Sequence, residues 1–140
     1  MVDEVSVDGR VMVAGYTEGL NGQIALVESS WLPEGIVRTL HAAFPSRIIT
    51  YSSLSQIVSE RHERLPRLGI LGAEIANGTI ENTIRSFSDL VPRISIVVLA
   101  PKDDEDLARK VISLGAKAYI PVPTGRVVVA VIRFILTSGA

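Results

Sequence analysis

The chain has 140 residues, the size of a single domain, and 47 % of them are apolar, enough for one packed core. Fourteen Lys and Arg against fifteen Asp and Glu leave a net charge of −1, which argues against a dedicated nucleic-acid-binding domain, normally a basic one. The absence of cysteine excludes disulfides, thiolate metal sites and thiol nucleophiles, and no apolar run is long enough to span a membrane. Asp3, Glu4 and Asp8 stand where a signal peptide would carry basic residues, so a cytoplasmic protein is expected.

Residues 1–22 read as an arm. They hold Gly9, Gly15, Gly19 and Gly22, and Val11-Met12-Val13-Ala14 is their one strand-like stretch. The glycines lack the Lys-Ser/Thr of a phosphate loop. From Gln23 to Ala140 the pattern changes to one of short apolar runs alternating with helical periodicity.

Ile24-Ala25-Leu26-Val27 is continuously apolar, as a strand buried on both faces of a parallel sheet would be. Pro33 suits the first turn of a helix whose face is Ile36, Leu40 and Phe44, and Pro45 stops it. Arg47–Tyr51 forms the second run, followed by a helix with Leu54, Ile57 and Val58 on one side. That helix ends in Arg61-His62-Glu63-Arg64, an ordinary solvated helix end. Leu68–Leu71 is the third run. Asn77-Gly78 then turns into a helix capped by Thr79, with Ile80, Ile84 and Phe87 on its face.

Ile94–Leu99 is the strongest strand. The acids Asp103 to Asp106 then open a helix through Leu107, Val111 and Leu114, favoured by its dipole and ended by Gly115. Lys117–Ile120 is the fifth run, and a last helix spans 124–137. That last segment has strand propensity in Val127-Val128-Val129 and Phe134. As a helix it puts Val128, Val131, Ile132 and Ile135 on one face. The alternation selects the helix. Val127 and Phe134 then fall outside that face, so a partner is expected to cover them.

Five βα units with right-handed crossovers predict an α/β three-layer sandwich on a five-stranded parallel sheet, with the flavodoxin-like order 2-1-3-4-5. Sites in such sheets lie at the carboxyl ends of the strands. Here those positions carry Glu28 and Ser29, then Gly72, Ala73 and Glu74, then Ala100 and Pro101, then Pro121 and Val122. That rim is chemically poor: no lysine, one or two carboxylates, and one hydroxyl, Ser29. Ser29-Ser30 is a trace of a flavin phosphate loop, interrupted by Trp31 and Pro33. His41 has no suitably spaced second ligand for a metal. Trp31 reads as a helix staple or as a partner anchor.

From Gln23 to Gly139 the chain resembles the receiver domain of bacterial two-component response regulators, in its NarL/LuxR-type form. The residues that carry the resemblance are Leu26-Val27-Glu28 with Glu34-Gly35-Ile36, then Pro66 to Leu71. Ile96 to Ala100, Gly115-Ala116-Lys117-Ala118-Tyr119-Ile120 and Ser138-Gly139 follow. The resemblance implies phosphoryl transfer to an aspartate ending the third strand. It also implies a Mg²⁺ held by acids after the first strand, a Ser or Thr after the fourth and a lysine after the fifth. Charge is the reason, since an acyl phosphate persists only where its oxygens are neutralised.

This sequence places Gly72 at the nucleophile position, Ala100 at the Ser/Thr position and Pro121 at the lysine position. Of the acidic pair Glu28 remains. Counting from the strand makes it the first acid, and counting back from Gly35 makes it the second. One carboxylate is a poor Mg²⁺ site, and Glu74 would be a weak substitute acceptor. Tyr119 matches the family's aromatic switch position. The resemblance therefore implies a pseudo-receiver without catalytic residues, cofactor or metal. It would act by homodimerisation through Val127, Val131 and Phe134 of the last helix, with no nucleic acid bound by this domain itself. A helix-turn-helix output domain is expected beyond Ala140, within a LuxR-type transcription regulator. A stand-alone adaptor and a small-ligand sensor on a flavodoxin-like fold are the alternatives.

Overall fold

The structure, a computed structural model, describes residues 23–27, 31–51, 66–73, 80–91 and 93–137. The arm 1–22, Glu28, Ser29, Glu74, Thr79 and the helix expected over 52–65 lie outside the described residues. Five strands, β1 (Ile24–Val27), β2 (Ile48–Tyr51), β3 (Leu68–Gly72), β4 (Ser95–Ala100) and β5 (Ala118–Pro121), form one parallel sheet in the order β2-β1-β3-β4-β5. The described helices are α1 (Glu34–Ala43), α2 (Ile80–Leu90), α3 (Glu105–Ser113) and α4 (Gly125–Thr137). The expected fold class and strand order are observed.

The continuous apolar runs become the central strands because both sheet faces are covered. Every residue of β1, β3 and β4 is buried. Alternate residues feed two cores. On one face Ile24, Leu26, Ile70, Val97 and Leu99 meet Ile36 and Leu40 of α1 and Val128 and Ile132 of α4. On the other, Val27, Leu71, Ile96 and Val98 meet Ile84 and Phe87 of α2 and Val111 of α3. Burying each such Leu or Ile contributes on the order of 1.5–3 kcal/mol, so the sheet interior dominates stability.

Boundaries differ from expectation where a backbone bond decides them. Pro33 is the N-cap of α1, not its first turn. Its ψ of 135° is extended, and its carbonyl accepts from the amides of Ile36 and Val37. β4 starts at Ser95 because the Ser95 amide joins the Arg67 carbonyl of the neighbouring strand. The amide of Ile94 instead closes a turn onto Val91. α3 begins as the acids predict: Asp104 is its N-cap and accepts from the Leu107 amide at 3.1 Å. Gly115, with φ of +107°, ends the helix in a conformation other residues resist. The last segment is helical throughout, because Val128, Ile132 and Ile135 must reach the sheet while α4 packs along α1. Among the described residues no helix is long and apolar enough to cross a membrane.

Candidate functional site

The carboxyl ends of β3, β4 and β5 meet in one row. Gly72 pairs in register with Leu99, and Ala100 with Pro121. The ladder runs one residue past each strand end: the Ala73 amide donates to the Leu99 carbonyl at 2.8 Å, and the Val122 amide to the Ala100 carbonyl at 2.9 Å. Hydrogen bonding within the sheet therefore uses backbone groups of the rim. Its side chains are a hydrogen, a methyl and a pyrrolidine ring, none able to donate, accept or ionise. The expected proximity of Gly72, Ala100 and Pro121 is real, and so is their lack of polar chemistry.

Val122 closes the row. It is 66 % exposed and holds φ at +44°, a strained value for a β-branched residue, between Pro121 and Pro123. The rim thus presents an apolar side chain to solvent at its β5 end. Among the described residues no group of three or more His, Asp or Glu is arranged to hold a metal ion. The described rim does not suit a divalent cation, which wants several carboxylate or phosphate oxygens.

Tyr119 organises this end of β5 through its hydroxyl. Its hydroxyl donates to the Lys102 carbonyl and accepts from the Asp104 amide, both at 3.2 Å. The two bonds tie β5 to the loop between β4 and α3, whose Asp104 also caps the helix. Partial burial pushes the Tyr119 hydroxyl above its usual pKa. The charges of Asp104 and Asp103 add to that rise, and the bond from the Asp104 amide opposes it. Sequence reasoning placed Tyr119 at a switch or interface and missed this staple. Its partners lie 15 and 17 residues earlier, across a strand junction, and no local pattern marks them.

The three α4 residues expected at an interface separate. Val127 and Phe134 are exposed, at 49 % and 72 %, whereas Val131 is half-buried and packs against the first core. Arg133 places its guanidinium 5.7 Å from the centroid of the Phe44 ring, joining α4 to the end of α1. Trp31 packs partly buried against the same core, as a staple would. Its Nε1 is buried without a hydrogen-bond partner among the described residues. His41 is exposed on α1.

No family model matches the chain, and no curated protein sequence does. Solved structures do. A response regulator receiver domain protein from Clostridium thermocellum is similar over 84 % of this chain and 95 % of its own, with a TM-score of 0.69 at 18 % identity. A CheY-like receiver domain protein from Methanospirillum hungatei has the same coverage and TM-score at 12 % identity. A LuxR-family DNA-binding response regulator from Staphylococcus aureus is similar over 83 % of this chain and 99 % of its own, with a TM-score of 0.67 at 13 % identity. At these identities the likeness is one of fold: the chain has the receiver-domain fold.

Proposed function

We propose that this domain is a pseudo-receiver, a receiver-type module that has given up phosphoryl chemistry and acts in the cytoplasm by protein–protein contact. One observation carries the reading. Where an acyl phosphate would need a carboxylate nucleophile, a hydroxyl and an ammonium, the ends of β3, β4 and β5 hold Gly72, Ala100 and Pro121. Positioning and charge neutralisation supply nearly all the catalysis of phosphoryl transfer, so their joint loss removes the reaction and spares the fold. The domain is not an enzyme in this reading.

The contact surface is the outer side of α4. Val127 and Phe134 lie seven residues apart on one helix side and expose apolar area that a second copy would cover. The domain would serve as the regulatory part of a LuxR-type transcription regulator, with a helix-turn-helix output elsewhere in the native chain.

The test is exposure of the domain to acetyl phosphate and Mg²⁺, followed by intact mass measurement. The expected spectrum shows unmodified protein only. An added phosphoryl group, located to Glu74 by fragmentation, would overturn the reading and make that carboxylate a working acceptor.

A further inference from the structure

The exposed face of α4 has two unlike edges. Helical spacing of about 100° per residue puts Arg126 and Arg133 along one edge and Val127 and Phe134 along the other. Ala130 and Thr137 run between them, and all of these residues are exposed. α1 lies on the side of the basic edge. There a Cβ on Gly125 would stand 2.8 Å from Cβ of Thr39, and the Arg133 guanidinium sits 5.7 Å from the centroid of the Phe44 ring. The apolar edge lies on the side away from α1. None of the 13 residues of α4 is acidic.

Two copies of α4 can meet side by side in two ways that a two-fold axis allows. Antiparallel packing lays like edge on like edge. Arg126 of each copy then comes level with Arg133 of the other, within about 1.5 Å along the axis, and no acid of the helix offsets the charge. Parallel packing lays the basic edge of one copy on the apolar edge of the other. Arg133 comes level with Phe134 of the other copy, and Arg126 with Val127. A guanidinium on an aromatic face is attractive, and the methylenes of an arginine cover a valine while its charge stays in water. The chain already contains one such pair, Arg133 on Phe44. A planar guanidinium can carry a ring on each face, and Arg133 is exposed, so the new contact adds to the internal one.

Taking the proposed homodimer as the starting point, we infer that its two copies of α4 are parallel, with Phe134 of each lying on Arg133 of the other and Ala130 meeting Ala130. The small Ala130 side chain lets the two helix axes approach to about 8 Å. A second copy answers both edges at once, with two cation–ring contacts related by the axis. Both chains then leave the seam at the same end, past Thr137.

The chain has no cysteine, so single cysteines report the orientation directly. The site of Ala130→Cys lies near the two-fold axis in either arrangement, whereas that of Thr137→Cys lies two turns further on. Its two Cα atoms are about 5 Å apart in the parallel dimer, within disulfide range, and about 21 Å apart in the antiparallel one. At tens of micromolar under mild oxidation, both variants are expected to form covalent dimers at comparable rates. Arg133→Gln, its fold checked by circular dichroism, is expected to weaken self-association in sedimentation about 5- to 30-fold, because both cation–ring contacts are lost. Crosslinking of the Ala130 variant without the Thr137 variant overturns the parallel arrangement and leaves the homodimer standing. Tighter association of Arg133→Gln does the same, since it signals arginines that face each other. A dimer that neither cysteine crosslinks overturns the arrangement by placing the contact on another face, and a monomeric wild type removes the homodimer reading with it.

Discussion

The interior of the sheet and its carboxyl-end rim are one or two residues apart along β3 and β4, yet they answer to different demands. Leu71 and Leu99 are fully buried and sit where the receiver fold needs apolar volume. Gly72 and Ala100 follow them directly, at the rim where the proposed reading puts a lost nucleophile and hydroxyl. On that reading the interior keeps what close packing requires while the rim no longer holds what phosphoryl transfer requires. Folding and catalysis are thus separable within a single strand, and a TM-score near 0.7 reports the first alone.

The sharpest way to press this comparison is to disturb the interior where it has least room. A Cβ on Gly69 would stand 2.5 Å from Cε2 and 2.8 Å from Cζ of the Phe87 ring, and 3.3 Å from Cδ1 of Ile94. Gly69→Ala should cost about 1–3 kcal/mol in urea unfolding, by overpacking a site that cannot yield. Phe87→Leu in the same chain should return part of that cost. Simple addition of the two losses would show that the ring is not what Gly69 accommodates.

Next in size is the Tyr119 staple. Tyr119→Phe removes both bonds to the β4–α3 loop and should cost about 1 kcal/mol. It should also change the alkaline limb of stability. A hydroxyl whose pKa is raised by folding stabilises the native state fully below its unfolded value near 10, and that contribution is lost as pH climbs through the folded value. The wild type should therefore lose stability above pH 10 more steeply than Tyr119→Phe. Parallel curves would place the staple outside the stability balance.

The smallest effect on folding is expected at Phe134, which is mostly exposed. Phe134→Asp should move the unfolding midpoint by no more than about 0.5 kcal/mol. In sedimentation at tens of micromolar, the wild type should run as a dimer and the variant as a monomer. A monomeric wild type would end the homodimer reading and leave the outer side of α4 to a different protein, as the adaptor alternative has it.

Much of the fold was legible because parallel strands buried on both faces announce themselves as short apolar runs. β1 was read without error, and the other boundaries moved by a residue or two where ladder bonds, not side chains, set the ends. The last helix was harder. Its valines favour strands locally, and only the need to cover β1, β3 and β4 alongside α1 decides the matter. At the site, strand ends alone located Gly72, Ala100 and Pro121, and what would stand there in their place comes from the resemblance to receiver domains. Glu28, Ser29 and Glu74 remain readings from sequence.

Pro121 has a consequence unconnected with phosphate. Among the described residues β5 is an outermost strand, paired on one side with β4. The Lys117 amide donates to the Ile96 carbonyl, so strand alternation aims the nitrogen of Pro121 at the Ala100 carbonyl; proline has no hydrogen to give, and the Val122 amide, one residue on, makes that bond instead. The strand thus ends in a one-residue bulge at Val122, whose φ is +44°, with Pro123 directly after it. A bulged, proline-flanked strand end twists the sheet margin out of the flat shape that a neighbouring strand needs, which blunts it against edge-to-edge aggregation.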